Sequence, residues 1–149
     1  MSKQLPFTTL IELAQRDVDE ASRTLGNLQR RRDEMLGKRH HLDGYRDEYE
    51  SKLGEAARAG MTMLERRNFD AFLGTLGTAI NQQQAQVTSL DQALEAARTQ
   101  WQLKKQKLAS FEMLEKRAME AEKKRVERTE QRATDEFAAR RAREPRETI

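Results

Sequence analysis

A heptad repeat of apolar residues runs through two long segments of this chain and limits what it can fold into. Apolar residues recur at alternating intervals of three and four, the spacing that coiled coils use at their interface. We call these positions the seam. Arginine alone interrupts the first series, and Gln83, Lys104 and Glu115 interrupt the second. The first series is Ile11, Ala14, Val18, Ala21, Leu25, Leu28, Arg32, Met35, Arg39, Leu42, Arg46, Tyr49, Leu53 and Ala56; the second is Phe69, Leu73, Leu76, Ile80, Gln83, Val87, Leu90, Leu94, Ala97, Trp101, Lys104, Leu108, Phe111, Glu115 and Ala118. Two long helices that pack along the seam are predicted.

Composition favours the same fold. Hydrophobic residues make up 36% of the 149 residues, whereas globular domains contain roughly 45 to 50% even with glycine counted. Only six residues are Val or Ile, too few to cover the face of a β-sheet. We therefore expect an all-α protein, a single long antiparallel two-helix coiled-coil hairpin over residues 1–149.

The predicted helix ends follow from capping signals. Thr9 precedes Glu12 by three residues and Thr62 precedes Glu65 in the same way, the spacing of a capping box at a helix start. Gly60 can adopt the left-handed conformation that ends a helix. The sequence thus predicts helix 1 over about 9–59, a turn at 60–62 and helix 2 over about 63–143, and so short a turn makes the helices antiparallel.

Helix 2 is predicted to be longer than its partner. Folding the chain about residue 61 pairs positions whose numbers sum to about 122, which places Arg39 near Gln83. Residues 118–149, the tail, then overhang helix 1 and are charged on nearly all faces. We expect the tail to be helical only partly, or only when bound, with Pro145 ending any helix.

Several function classes are disfavoured. The sequence contains no phosphate-binding glycine loop, no zinc-protease motif and no cysteine, so we expect no enzyme activity, cofactor or metal. Net charge is only +3, from 28 basic and 25 acidic residues, and the basic segment 30–41 lacks interleaved aromatic residues. We expect a solvated face there and no nucleic-acid partner. No apolar run suits membrane insertion and no signal peptide is recognisable.

Apolar residues near the predicted turn exceed what a two-helix seam needs. Helix 2 contributes an additional apolar line beside the seam, which steps through Phe72, Leu76 and Ala79 to Gln83, and two helices cannot bury both. This apolar patch consists of Leu42, Tyr45, Tyr49, Phe69, Phe72, Leu73, Leu76, Ala79 and Ile80. Aromatic residues concentrate binding energy in interfaces, so the patch predicts a partner site; local repacking or self-association is the alternative.

The ending DEFAARRA, residues 135–142, places Phe137 alone among alanine and arginine. Such a segment either docks into a groove of a partner or frays as a free tail.

Five segments together resemble the FliJ family of the bacterial flagellar type III export apparatus. They are LIELAQRDVDEASRTLG (10–26), LDGYRDEYE (42–50), FDAFLGTLGTAI (69–80), WQLKKQKLASFEMLEKR (101–117) and DEFAARRA (135–142). The paired tyrosines, the FxxFxxxL spacing and the DEFAxR ending are its specific parts.

The resemblance implies a hairpin similar to the γ stalk of rotary ATPases. It implies a non-enzymatic protein that sits in the ring of the export ATPase FliI, promotes ring assembly, contacts the cytoplasmic domain of the export gate protein FlhA and binds export chaperones. The location implied is the cytoplasm, peripherally at the membrane beneath the flagellum. The gate contact would map onto a contact set of Leu42, Tyr45, Tyr49, Phe72, Leu76 and Ala79, and the ATPase contact onto Asp135, Phe137, Arg140 and Arg141.

Two other interpretations stay open on the sequence alone. The stalk of a virulence injectisome would have the same fold, although the DEFAARRA ending favours the flagellar member. A homo-oligomeric scaffold or a basic nucleic-acid-binding rod would instead show concentration-dependent assembly or strongly salt-dependent affinity.

Overall fold

The computed structural model describes residues 7–145. Helix α1 spans Phe7–Ala59 and helix α2 spans Met63–Arg143. The two helices pack against each other and no strand occurs in the described range, so the prediction of an all-α helical hairpin is confirmed. By their contacts the described residues divide into two units, one formed by residues 17–104 and the other by residues 7–16 with 105–145.

The seam is where the two helices bury their apolar surface. Every seam position in both series is buried or half-buried, as the heptad spacing predicts. The positions buried most completely are aliphatic or alanine: Ala14, Val18, Leu76, Ile80, Val87 and Leu94. No charged or polar residue between Phe7 and Pro145 is buried as a whole, and the polar residues at seam positions are half-buried.

The turn between the helices forms as its signals predict. Gly60 has φ of 98°, the left-handed region in which a Cβ atom is strained. The Thr62 hydroxyl oxygen accepts a hydrogen bond from the Glu65 amide at 3.2 Å, and a Glu65 carboxylate oxygen accepts one from the Thr62 amide at 3.3 Å. This reciprocal pair is a capping box that satisfies two amides at the start of α2.

Gly60→Ala is expected to lower the free energy of unfolding by about 1–2 kcal/mol, because alanine is strained at this φ. Gly37→Ala is the matched control: Gly37 lies inside α1, and an added Cβ there meets nothing within 4 Å. Alanine should stabilise that position by roughly 0.5–1 kcal/mol. Urea unfolding followed by circular dichroism measures both changes, and equal signs for the two variants would contradict the left-handed turn.

The start of α1 differs from its prediction. The sequence places the first helix cap at Thr9, whereas α1 already begins at Phe7 and Thr9 lies in its first turn. A capping residue must precede the helix and have a non-helical backbone, so Thr9 does not cap α1.

Beyond the seam, α2 continues as an isolated helix. It is helical without a break to Arg143, and every residue from Met119 to Pro145 is exposed. Ion pairs within the helix, such as Arg125 to Glu122 at 2.7 Å, support it locally. The hydrogen bond and charge of Glu122 raise the pKa of the Arg125 guanidinium. Partial unfolding of the free tail stays a prediction, and residues 146–149 lie outside the described range.

Candidate partner-binding surface

Three aromatic rings cluster beside the turn, within the unit of residues 17–104. The Tyr49 ring lies 4.1 Å from the Phe72 ring between centroids, and 6.4 Å from the Phe69 ring in an edge-to-face arrangement. The Lys52 ammonium lies 5.3 Å from the Tyr49 ring centroid, within the range of a cation–π contact. The cluster joins α1 to α2 and leaves Phe72 40% exposed.

The 17–104 unit has two shallow grooves on this part of the hairpin, and the first is formed by the cluster itself. The turn groove, of about 320 Å³, is lined by Tyr49, Glu65, Asn68, Phe69 and Phe72. The middle groove, of about 430 Å³, is lined by Lys38, His41, Leu42, Tyr45 and Gln83. Each groove takes residues from both helices.

Three members of the contact set lie on one side of the hairpin. Tyr45 on α1, and Phe72 and Ala79 on α2, each precede a seam residue by one position. When two helices pack antiparallel, the positions directly before the seam residues of one helix lie beside the same positions of the other. Tyr45 is 55% exposed and Phe72 is 40% exposed, whereas Leu42, Tyr49 and Ala79 are half-buried. The structure therefore offers a partner a surface made mainly of Tyr45 and Phe72.

Leu76 does not belong to that exposed surface. It is only 8% exposed, because its heptad position places it in the seam. The sequence pattern assigned Leu76 both to the seam and to the additional apolar line. In the structure Leu76 lies in the seam. A contact of Leu76 with a partner stays a prediction.

Glu65, Asn68 and Lys52 were missed by sequence reasoning as neighbours of the surface. All three are polar residues on exposed helix faces, where periodicity gives no reason to select them. The signal that could have found Asn68 is its place directly before Phe69, a seam residue.

A polar layer crosses the seam next to the middle groove. The Arg39 Nε, Gln83 Oε1 and Gln84 Oε1 atoms are buried and have no hydrogen-bond partner among the described residues. Arg39 Nε does lie 3.7 Å from an Asp43 oxygen, and Arg46 pairs with Asp43 at 3.4 Å. The layer thus contains both donors and acceptors that remain unmatched.

One further polar contact joins the helices in the middle of the seam. Arg32 Nε donates a hydrogen bond to Asp91 Oδ1 at 2.9 Å. This ion pair links Arg32, a seam position within the basic segment 30–41, to α2.

The tail residues predicted to contact the ATPase are accessible. Asp135, Arg140 and Arg141 are exposed, and Phe137 is 65% exposed. The Gln131 side-chain amide donates a hydrogen bond to Asp135 Oδ1 at 3.0 Å, which holds that carboxylate along the helix.

Within residues 7–145, no helix is both long and apolar enough to cross a bilayer.

Comparisons with known proteins agree along nearly the full length of the chain. The family model described as Flagellar FliJ protein matches residues 2–147. The Flagellar FliJ protein of Escherichia coli (strain K12) is 32% identical over 142 residues, covering 95% of this chain and 97% of the relative. The Flagellar FliJ protein of Salmonella typhi is 33% identical over the same length and coverage. The predicted resemblance is confirmed, and the chain belongs to the flagellar FliJ protein family.

Proposed function

We propose that this chain, a flagellar export component by its family, is the non-enzymatic stalk of the export ATPase FliI and couples that ATPase to the export gate protein FlhA. The observation that carries the proposal is the presence of two separate exposed surfaces. The tail is exposed from Met119 to Pro145 and belongs to one unit, and the Tyr45–Phe72 surface belongs to the other.

The tail supports the ATPase contact because it is a long helix whose side chains are exposed from Met119 to Pro145. A ring of ATPase subunits would bury the helix from all sides, and Phe137 would supply an apolar anchor between Asp135 and the arginines. In this proposal the tail residues Asp135, Phe137, Arg140 and Arg141 contact FliI.

ATP hydrolysis by FliI, measured at a concentration at which the ATPase is mostly unassembled, tests the proposal directly. Titration with this protein is expected to stimulate hydrolysis and to saturate near one chain per six ATPase chains. Removal of residues 135–149 should abolish the stimulation while leaving the melting temperature almost unchanged, since no described residue there is buried. Full stimulation by the truncated chain would exclude the tail from the contact.

The Tyr45–Phe72 surface supports the gate contact because it exposes two aromatic side chains on one side of the hairpin. Tyr45→Ala and Phe72→Ala are each expected to weaken binding to the FlhA cytoplasmic domain about tenfold or more, the loss typical of aromatic anchors. Met63→Ala is the control, because Met63 is 72% exposed beside the turn and lies outside the contact set. Calorimetric titration measures all three; unchanged affinity for both aromatic variants would reject this surface.

Leu76→Ala does not serve as a test of the gate contact. Leu76 is buried, so its loss changes hairpin stability and would lower gate affinity even without a direct contact.

The same proposal places the protein in the cytoplasm, peripherally at the membrane beneath the flagellum, where it would also bind export chaperones. Its support is family membership.

A further inference from the structure

One side of α2 carries a line of cations where the helix leaves the seam. Lys124, Arg128 and Arg132 follow one another at intervals of four residues, which places them along the same side of the helix. Arg117 lies eleven residues before Arg128, about three helical turns, and so falls on that side too. From Arg117 to Arg132 the line extends over about 22 Å at 1.5 Å per residue. We call these four residues the basic face.

A shallow tail groove of about 360 Å³ runs along the basic face. No carboxylate lines it; the lining residues are Ala121, Lys124, Arg125, Arg128, Thr129 and Arg132. Arg125 pairs with Glu122 at 2.7 Å, whereas Lys124, Arg128 and Arg132 form no ion pair with any residue that the structure describes. Three cations at this groove are therefore available to an anion from outside the chain.

The chemistry of the basic face suits phosphate groups that are spread over a surface. Guanidinium groups bind phosphate oxygens through charge-assisted hydrogen bonds. Protein partners are usually anchored by aromatic residues, and single-stranded nucleic acids stack on aromatic rings, but no aromatic residue lines the tail groove. A row of cations without such an anchor matches the headgroups of an anionic bilayer, which attract basic residues by charge alone.

The exposed apolar residues of this stretch lie on the other side of the helix. Val126 is two residues from both Lys124 and Arg128, and two residues turn an α-helix by about 200°. Met119, seven residues before Val126, shares its side, and the two are 57% and 39% exposed. The helix can thus lie on headgroups without inserting apolar side chains, so its binding should depend strongly on salt.

We propose that the basic face binds the phosphate groups of anionic phospholipids and lays this part of α2 flat on the bilayer surface. The inference rests on the proposed location at the membrane and gives it a site on this chain. A ring that encloses the tail would cover the same face, so bilayer and ATPase would compete for it. Vesicle binding tests the inference and stimulation of FliI tests the stalk, so either can fail alone.

Sedimentation of the full chain with vesicles tests the basic face. Vesicles of phosphatidylcholine and phosphatidylglycerol in equal parts are compared with vesicles of phosphatidylcholine alone, at about 0.1 M salt. The face variant combines Arg128→Glu with Arg132→Glu. The control variant combines Lys116→Glu with Lys123→Glu, which changes the net charge equally at exposed positions on the other side of the helix. Circular dichroism verifies that both variants keep their helicity.

The unchanged chain is expected to bind the anionic vesicles and not the neutral ones. The face variant should lose about tenfold or more in partitioning, because each basic residue at the surface contributes separately. The control variant should lose about threefold or less, since its charges lie roughly a helix diameter, about 10 Å, from the surface and screening at 0.1 M salt acts over about 10 Å. Raising the salt to about 1 M should abolish binding.

Three outcomes would overturn the inference: no binding of the unchanged chain to anionic vesicles, equal losses for the two variants, or binding that survives high salt. Inorganic phosphate at matched ionic strength should not release the chain; release would mean a discrete site for free phosphate and would also overturn it. A face variant that binds vesicles normally but no longer stimulates FliI would assign the basic face to the ATPase. Absent stimulation by the unchanged chain would contradict the stalk and leave the lipid inference in place.

Discussion

Leu94→Ala is expected to lower the free energy of unfolding by about 2–5 kcal/mol and the melting temperature by roughly 5–20 °C. Leu94 is only 5% exposed, and a two-helix hairpin has no second layer of side chains that could move in to fill the space left behind. Thermal and urea unfolding followed by circular dichroism at 222 nm measure the change.

Leu103→Ala is the matched control for this substitution. Leu103 lies on the same helix and in the same unit, yet it is 51% exposed. Its truncation should change stability by no more than about 0.5 kcal/mol. Similar losses for the two variants would mean that the seam does not run through Leu94 in solution.

Replacing Arg39 and Gln83 together by leucine is expected to raise the free energy of unfolding by about 2–4 kcal/mol. Each residue contributes a buried polar atom without a hydrogen bond among the described residues, and such an atom costs about 1–3 kcal/mol. Two leucines would remove both penalties and continue the apolar seam. Asp43, which loses its contact with Arg39, keeps Arg46 at 3.4 Å.

The two single substitutions provide the comparison. Each removes one penalty and leaves the other polar atom buried, so each should gain about half as much as the double variant. Size-exclusion chromatography with light scattering checks that the gain is not caused by self-association, because polar seam layers also restrict partner choice. A double variant that melts at or below the temperature of the unchanged chain would show that these atoms are hydrogen-bonded in solution.

Sequence predicts the seam well because each heptad position repeats many times. A single polar residue such as Arg39 or Gln83 leaves the pattern readable, and both are half-buried in the structure as their positions require. The turn is predictable for a different reason. Gly60 and the Thr62–Glu65 pair are local signals whose geometry depends on no distant contact.

The binding surface is predictable only in part, because it depends on how two helix flanks meet. Periodicity identifies the additional apolar line and thus Phe72. It does not predict how far each residue beside the seam is exposed: Tyr45 is 55% exposed, whereas Ala79 is half-buried. The turn groove is invisible to periodicity, as Asn68 is an ordinary polar residue until Phe69 and Tyr49 are placed beside it.

The start of α1 illustrates a local signal that gives the wrong position. Thr9 and Glu12 have capping-box spacing, but the same residue types occur at exposed positions of helix interiors, and only the path of the preceding chain distinguishes the two cases. Phe7 and Thr8 are helical in the structure, so the helix starts before the signal.

The tight turn also determines an order of folding for the 17–104 unit. Tyr49 and its ring partner Phe69 are close in sequence, and the entropy lost on closing a loop rises with its length. The aromatic cluster therefore closes a shorter loop than any seam contact farther from Gly60. Each seam contact that forms later joins two helices that are already aligned. We expect the seam contacts of this unit to form one after another, beginning with those nearest the turn. Its ring cluster would then be assembled before the distant helix ends have paired, so fraying at those ends leaves the recognition surface in place.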